Sequence, residues 1–401
     1  MENNKKNKVL KITLIVIASV LAFVLLVGGI VFFYLKSKMD MMNYEYIDES
    51  SLSVSDNEVL TGYRNIAIFG IDTRGTSYGL GNRSDCIIIA SVNNATKEVR
   101  LVSVYRDTYL KIDGIGLDKA THAYSYGGAQ RAVKMLNENL DLNITEFVTV
   151  NFDAVVSVVD LLGGVEIDVE QEEITHLNAY IENNTMITGI ESTPIEEPGR
   201  YNLDGIQALA YSRIRYTAGG DHKRAERMRE VMEAMLTKLK TKSVAEIDSI
   251  LNVMLPKIST NLKMEDFVSM IPTVMKLNMG SSTGWPYNVK GAMIRGVWYG
   301  LPNTLEDSVR RLHVELFDDE GYIVPDGVKK ISEDIVEASK YQNVTESDEP
   351  SSDESGQLPE VPPDDSSSSV GEGEENVSSS EESSSLESSS EVGSETGETL
   401  E

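Results

Sequence analysis

The sequence predicts an α/β domain with a mixed central sheet flanked by helices, preceded by one transmembrane helix and followed by a disordered tail. Three observations predict it. Between Arg64 and about Glu337, apolar runs of strand length are interspersed with amphipathic runs of helix length. Residues 12–35 are uncharged and strongly apolar. From Asn343 onward the chain is rich in Ser and Glu, carries Pro359, Pro362 and Pro363, and lacks the apolar residues that a core requires.

The elements follow in order. The basic segment 1–11 holds Lys5, Lys6, Lys8 and Lys11. The 24 residues from Ile12 to Leu35 would form a helix of roughly 36 Å, enough to cross a bilayer with some tilt. The lysine bias favours a cytoplasmic N-terminus and an extracellular body. A cleaved leader would have a shorter apolar core and a small-residue cleavage site, which Phe32-Phe33-Tyr34-Leu35-Lys36 does not offer. Residues 36–60 read as a polar juxtamembrane spacer and 61–342 as the folded body. Within it, Asn65–Ile71 reads as a buried strand ending at Asp72. Cys86–Val92 and Val99–Tyr105 read as a hairpin turned by Asn93-Asn94-Ala95-Thr96-Lys97. Ala129–Asn139 and Phe152–Leu162 read as helices, the second stopped by Gly163-Gly164. Val165–Val169 alternates like a half-exposed strand. Arg224–Lys240 reads as a long helix with Met228, Val231, Met232, Met235, Leu236 and Leu239 on its apolar side, methionines included as core filling.

Charge and rare residues exclude several functions. Of the formal charge of -28, the tail from Val344 carries -18 (18 acidic residues, no Lys or Arg), which leaves -10 for the rest. Nucleic acid is a poor partner for such a surface, and no helix-turn-helix pattern or basic stripe is present. The single cysteine, Cys86, lies in an apolar run and reads as a buried thiol. The histidines His122, His176, His222 and His313 show no metal-ligand spacing, although His122 and His222 lie in site-like segments. Gly75-Thr76-Ser77-Tyr78-Gly79 matches a nucleophile elbow in letters, but a strand rather than a helix is predicted to follow, so it reads as a flexible loop.

The most informative pattern is arginine beside aspartate, in Asp72 with Arg74, Arg83 with Asp85, Arg106 with Asp107, and Asp221 with Arg224 and Arg227, together with the arginine pair Arg213 and Arg215. Guanidinium forks grip phosphate oxygens bidentately, and carboxylates hold a divalent cation against the same phosphates. Isolated pairs would read as surface salt bridges. Most of these sit at predicted strand or helix boundaries, where α/β folds collect their ligands.

Ordered blocks carry a family resemblance. They are Gly70-Ile71-Asp72-Thr73-Arg74, Arg83-Ser84-Asp85, Arg106-Asp107-Thr108, the segment Lys119–Gly128 ahead of a helix, Leu161-Leu162-Gly163-Gly164-Val165, the run Leu203–Arg215 and Asp221-His222-Lys223-Arg224. The chain resembles the LytR-CpsA-Psr family of bacterial envelope proteins over most of Ile66–Leu239, with a weaker continuation through Tyr299–Phe317. The resemblance implies a phosphotransferase. Such an enzyme moves an anionic glycopolymer from a polyprenyl-pyrophosphate carrier to peptidoglycan and forms a phosphodiester. It implies that Asp72 and Asp85 hold Mg²⁺, or Mn²⁺ in its place. Arg74, Arg83, Arg106, Arg213, Arg215, Arg224 and Arg227 would bind the pyrophosphate. Asp221, Arg106 and Asp107 would be catalytic, Asp221 being the position associated with activating the acceptor hydroxyl. It also implies an apolar pocket between sheet and helices for the polyprenyl chain, with wall teichoic acid or capsule as the polymer.

Some positions depart from the family pattern. Tyr105 precedes Arg-Asp where Pro or Ser is usual, read as a local backbone matter, and Thr121 replaces a frequent Asn. Met228-Arg229 replaces Gln-Gln; Met228 cannot make the hydrogen bonds expected of the first Gln, and Arg229 projects about 100° away from it on a helix. A noncatalytic lipid-linked-polymer binder or envelope scaffold is an alternative reading, and so is a pyrophosphatase using the same site.

Overall fold

The structure is a computed structural model, and it describes residues 26, 29–30, 32–73 and 78–340. The basic segment, most of the expected span 12–35, Arg74 with Ser77 of the glycine loop, and the acidic tail lie outside the described residues. Among the described residues no helix is long and apolar enough to cross a membrane.

The framework is a seven-stranded mixed sheet. In chain order its strands are β1 (Asn43–Tyr44), β2 (Tyr63–Ile71), β3 (Ser84–Asn93), β4 (Glu98–Val104), β7 (Glu146–Val150), β10 (Ile258–Thr260) and β11 (Asn278–Trp285), and their spatial order is β1-β10-β7-β2-β3-β4-β11. The β2–β3 and β3–β4 pairs are antiparallel, whereas β2–β7 and β4–β11 are parallel. Three two-stranded ribbons stand apart from it: β5 (Tyr109–Ile112) with β6 (Gly116–Lys119), β8 (Val165–Val169) with β9 (Gly199–Leu203), and β12 (Val289–Ile294) with β13 (Val297–Pro302).

Alternation along the strands splits the apolar residues between the two sheet faces. Ala67, Phe69, Ile71, Ile87, Ile89, Val102, Val104 and Phe147 join the main core. The helices α1 (Ala120–Leu140), α8 (Leu305–Phe317) and α9 (Asp326–Ser339) cover that face. The other face meets α2 (Phe152–Leu162), α5 (Gly220–Leu239), α6 (Val244–Met254) and α7 (Met264–Val274). There the buried clusters are small, and Ile68, Met232, Leu236, Val274 and Met279 are only partly buried. A further core unites α2, β8 and β9 with α3 (Ile174–Thr188) and α4 (Gly205–Arg213).

Several expectations need correction. Lys119–Gly128 does lie ahead of the predicted helix from Ala129, but from Ala120 it is itself helical, the two stretches of α1 meeting at a kink where Gly127 and Gly128 leave helical geometry. Residues 43–60 are no mere spacer, because β1 joins the sheet and Ile47, Leu52 and Leu60 are buried in the main core. The α5 surface is buried on two sides, with Val231 facing one core and Met232 and Leu236 another. Helix α2 ends as its sequence dictates, since Gly163 and Gly164 adopt φ of 81° and 88°.

Candidate active site

The site forms where the ends of β2, β3 and β4 meet the starts of α1 and α5. Gly70 pairs with Cys86, but Ile71 pairs with Ser84, so Asp85 is the extra residue of a bulge. A bulge re-aims the side chain it frees from the ladder. Glycine permits this closeness: a Cβ at position 70 would stand 2.7 Å from the Cβ of Cys86. Asp72 follows β2 at the same end of the strand pair.

Arg106 lies just beyond β4 and is the hub. Its Nη1 donates to Asp85 Oδ1 at 2.9 Å. Its Nε stands 3.4 Å from Asp107 Oδ2 and 3.5 Å from Asp221 Oδ1. Lys119 Nζ reaches Asp107 Oδ1 at 2.7 Å. Asp221, in the first turn of α5, receives Arg224 Nη2 at 2.6 Å. Arg215 is close enough for its charge to act on both Asp85 and Arg224, and among the described residues its buried Nε has no hydrogen-bond partner.

The electrostatics favour an added anion. Burial pushes the Asp85 carboxyl up, but Arg106, Arg224 and Arg215 outweigh it and hold the group below its ordinary value. Arg224 is pushed below the ordinary arginine value by burial, which Asp221 and Asp85 oppose and which Arg106 and Arg215 reinforce. Guanidiniums crowded together at low exposure are stabilised by a phosphate placed among them.

The remaining expected ligands divide. Arg83 is exposed on the loop before β3 and acts electrostatically on Tyr126. Arg213 donates from Nη1 to Asn184 Oδ1 at 2.7 Å, and its guanidinium lies 5.1 Å from the ring centre of Phe152 and 5.3 Å from that of Tyr180. Arg227, expected to bind pyrophosphate, is turned away from the cluster. Its side chain is 0% exposed, and its nitrogens donate to Glu173 Oε1 at 2.7 Å, the Ile214 carbonyl at 3.0 Å and Thr217 Oγ1 at 2.7 Å. It braces the α4–α5 connection. Arg229 does not stand in for the missing glutamine either: it is nearly buried, with Nε donating to Ser282 Oγ of β11 at 3.2 Å. Tyr105 does more than shape the local backbone, since its ring lies 4.1 Å from that of His222.

Sequence reasoning missed Lys119 as the partner of Asp107, and it missed a network around Asp118. Asp118 Oδ2 accepts from Tyr126 Oη at 2.8 Å and contacts His122 Nδ1 at 3.0 Å, while Oδ1 accepts from the Lys119 N–H at 2.8 Å. The i, i+4, i+8 spacing of Asp118, His122 and Tyr126 was the available signal, and the turn from β6 into α1 completes the meeting. Among the described residues no three His, Cys, Asp or Glu side chains form a metal cage. Asp72 and Asp85, the two carboxylates that the family resemblance assigns to a cation, lie at the same end of the β2–β3 pair.

The profile of the LytR_cpsA_psr family matches residues 30–311, most of the chain and all of this site. The chain belongs to that family. It is 29% identical over 302 residues to the polyisoprenyl-teichoic acid–peptidoglycan teichoic acid transferase TagT of Bacillus subtilis (strain 168), covering 72% of this chain and 91% of that protein. To the corresponding transferase TagU of Enterococcus faecalis (strain ATCC 700802 / V583) it is 31% identical over 271 residues, covering 66% of this chain and 82% of that protein. A solved structure of TagT bound to LIIa-WTA superposes with a TM-score of 0.54 at 28% identity, covering 67% of this chain and 95% of that one.

Proposed function

We propose that this LytR_cpsA_psr protein is a phosphotransferase that moves an anionic glycopolymer from a polyprenyl-pyrophosphate carrier to peptidoglycan. The observation that carries the reading is the convergence of Asp85, Arg106, Asp107, Asp221 and Arg224, with Arg215 beside them, from separate elements onto one partly exposed cluster. Relatives named as teichoic acid transferases support the reaction class and make wall teichoic acid the first polymer to try. We place the body outside the cell, anchored by residues 12–35, because carrier lipid and acceptor meet there.

Phosphoryl transfer asks a protein mainly for positioning and charge neutralisation. Arg106, Arg215 and Arg224 would hold the pyrophosphate oxygens and stabilise the charge that gathers on the departing lipid phosphate. Asp85 and Asp221 fix Arg106 and Arg224 in place, so little reorganisation is needed as charge develops. Asp72 and Asp85 suit Mg²⁺, which takes one or two carboxylates and completes its shell with phosphate oxygens and water; when bound it would neutralise charge on the same phosphates. The partly buried row of Ile68, Met232, Leu236, Val274 and Met279 offers an apolar surface for the polyprenyl chain.

The test is a transfer assay with a synthetic polyprenyl-pyrophosphate glycoside and peptidoglycan oligomers, with and without Mg²⁺. A metal-dependent phosphodiester product is expected, with kcat/KM falling by about 100-fold or more in Arg106→Ala, as for loss of other charge-stabilising donors, and falling also in Asp72→Ala. Lipid binding without product, indifferent to Asp72→Ala, would refute the enzyme in favour of a carrier or scaffold.

A further inference from the structure

Resting on that reading, one further step needs a group: removal of the proton from the attacking hydroxyl. Asp221 is the candidate suggested by family resemblance, yet its Oδ1 is engaged by Arg224 at 2.6 Å and approached by Arg106 at 3.5 Å. The turn that hydrogen-bonds to the Arg106 segment through its backbone carries an imidazole held by a carboxylate.

His122 lies in the first turn of α1. The turn is strapped to the Arg106 segment by the Thr121 N–H, which donates to the Arg106 carbonyl at 2.9 Å, and by the Ala120 N–H, which donates to the Thr108 carbonyl at 2.9 Å. On its other side the Gly81 N–H donates to the Ser125 carbonyl at 3.1 Å, tying the loop that carries Arg83 to the same helix. His122 thus lies between the two arginine-bearing segments.

Its ring is oriented. Nδ1 stands 3.0 Å from Asp118 Oδ2. Burial pushes the Asp118 carboxyl up, but His122, the Lys119 N–H and Tyr126 outweigh it and hold the group at about 2. Asp118 is therefore ionised at neutral pH and accepts the Nδ1 proton, which leaves Nε2 of the neutral ring as a bare acceptor. Among the described residues Nε2 has no hydrogen-bond partner, and the side chain is 22% exposed. The groups facing this pair are Lys119 on β6, Tyr126 on α1, Tyr299 on β13 (Oη 3.4 Å from Asp118 Oδ1) and, beyond Tyr126, Arg83. A carboxylate that fixes the tautomer of a partly open imidazole is the arrangement by which enzymes activate hydroxyl nucleophiles.

We propose that His122 Nε2 is the proton acceptor for the sugar hydroxyl of the acceptor glycan, with Asp118 as its positioning residue. In the step, the hydroxyl oxygen forms a bond to the polymer-side phosphorus as its proton passes to Nε2. The bond from that phosphorus to the bridging oxygen breaks, and its electron pair leaves with the lipid phosphate. His122 then releases the proton to solvent, so the products are a phosphodiester, polyprenyl phosphate and one proton. The acceptor-binding side of the site would accordingly lie along Asp118, His122 and Tyr126.

The experiment measures transfer by the full-length protein in detergent micelles as a function of pH, for the unaltered chain and for His122→Gln, His122→Ala and Asp118→Asn. His122→Gln should lower kcat by about 100-fold, the low end for loss of a general base, with the KM for lipid donor little changed. The pH profile of His122→Gln should differ from that of the unaltered chain, and added imidazole should restore activity to His122→Ala. Asp118→Asn should lower kcat without abolishing lipid binding. Near-normal transfer by His122→Gln with an unchanged pH profile would overturn this proposal alone. Absence of transfer by the unaltered protein would overturn the phosphotransferase reading and this proposal with it. A kcat loss without imidazole rescue or change in pH profile would mark His122 as structural and sink the assignment.

Discussion

At the scale of single residues, the same side chain type does two different jobs on one helix. Arg224 faces the cluster and is crowded by like charge, whereas Arg227, three residues on, is sealed beside Glu173, itself 1% exposed. Sequence could place both beside Asp221 but could not tell a ligand from a brace, because the distinction depends on the distant Glu173 and on the carbonyl of Ile214. Removing one partner of a buried ion pair costs about 3–5 kcal/mol, since the other charge is left without compensation. Arg227→Ala should therefore lower the urea midpoint markedly, and Arg227→Met with Glu173→Leu should recover much of the loss. A nearly unchanged midpoint accompanied by weakened binding of a polyprenyl pyrophosphate would return Arg227 to the ligand set.

At the scale of elements, the β2–β3 bulge shows why strands are easier to read than sites. The apolar runs Asn65–Ile71 and Cys86–Val92 announced the strands, and the observed Tyr63–Ile71 and Ser84–Asn93 extend them by one to two residues at three of their ends. The one-residue slip that turns Asp85 toward Arg106 leaves no periodic mark, because a bulge is a property of the pairing and not of either strand. Helix α1 was half legible for a related reason. Ala129–Asn139 reads as the helix and Lys119–Gly128 only as the segment ahead of it, yet the chain is already helical from Ala120 and kinks where Gly127 and Gly128 leave helical geometry. Gly70 holds the bulge closed, and a methyl group there must displace Cys86. Gly70→Ala is expected to destabilise the protein by about 1–3 kcal/mol, as for other overpacked positions. Its loss of transfer activity should exceed what the unfolded fraction explains, because Asp85 would be mis-aimed. Activity that scales only with the folded fraction would show that the bulge does not set the site.

At the scale of the whole molecule, the least legible feature was where the body begins. Residues 36–60 look polar, but the apolar residues among them are spent on the core: Leu52 and Leu60 are 0% exposed and Ile47 is 3% exposed. The segment is also stitched in by hydrogen bonds, with Asn137 Nδ2 donating to the Leu52 carbonyl at 3.0 Å and Ser259 Oγ donating to Glu45 Oε2 at 3.0 Å. Each such aliphatic side chain contributes about 1.5–3 kcal/mol on burial, and three of them approach the roughly 5–15 kcal/mol that holds a domain together. A body starting at residue 61 should therefore lose cooperative unfolding and near-ultraviolet dichroism, while one starting at residue 40 should keep both. Equal urea midpoints for the two would mean that the segment merely rests on the body. A deficit confined to the shorter body would instead make the connection to residues 12–35 part of the catalytic domain, so that the site is held at a fixed distance from whatever that apolar stretch is embedded in.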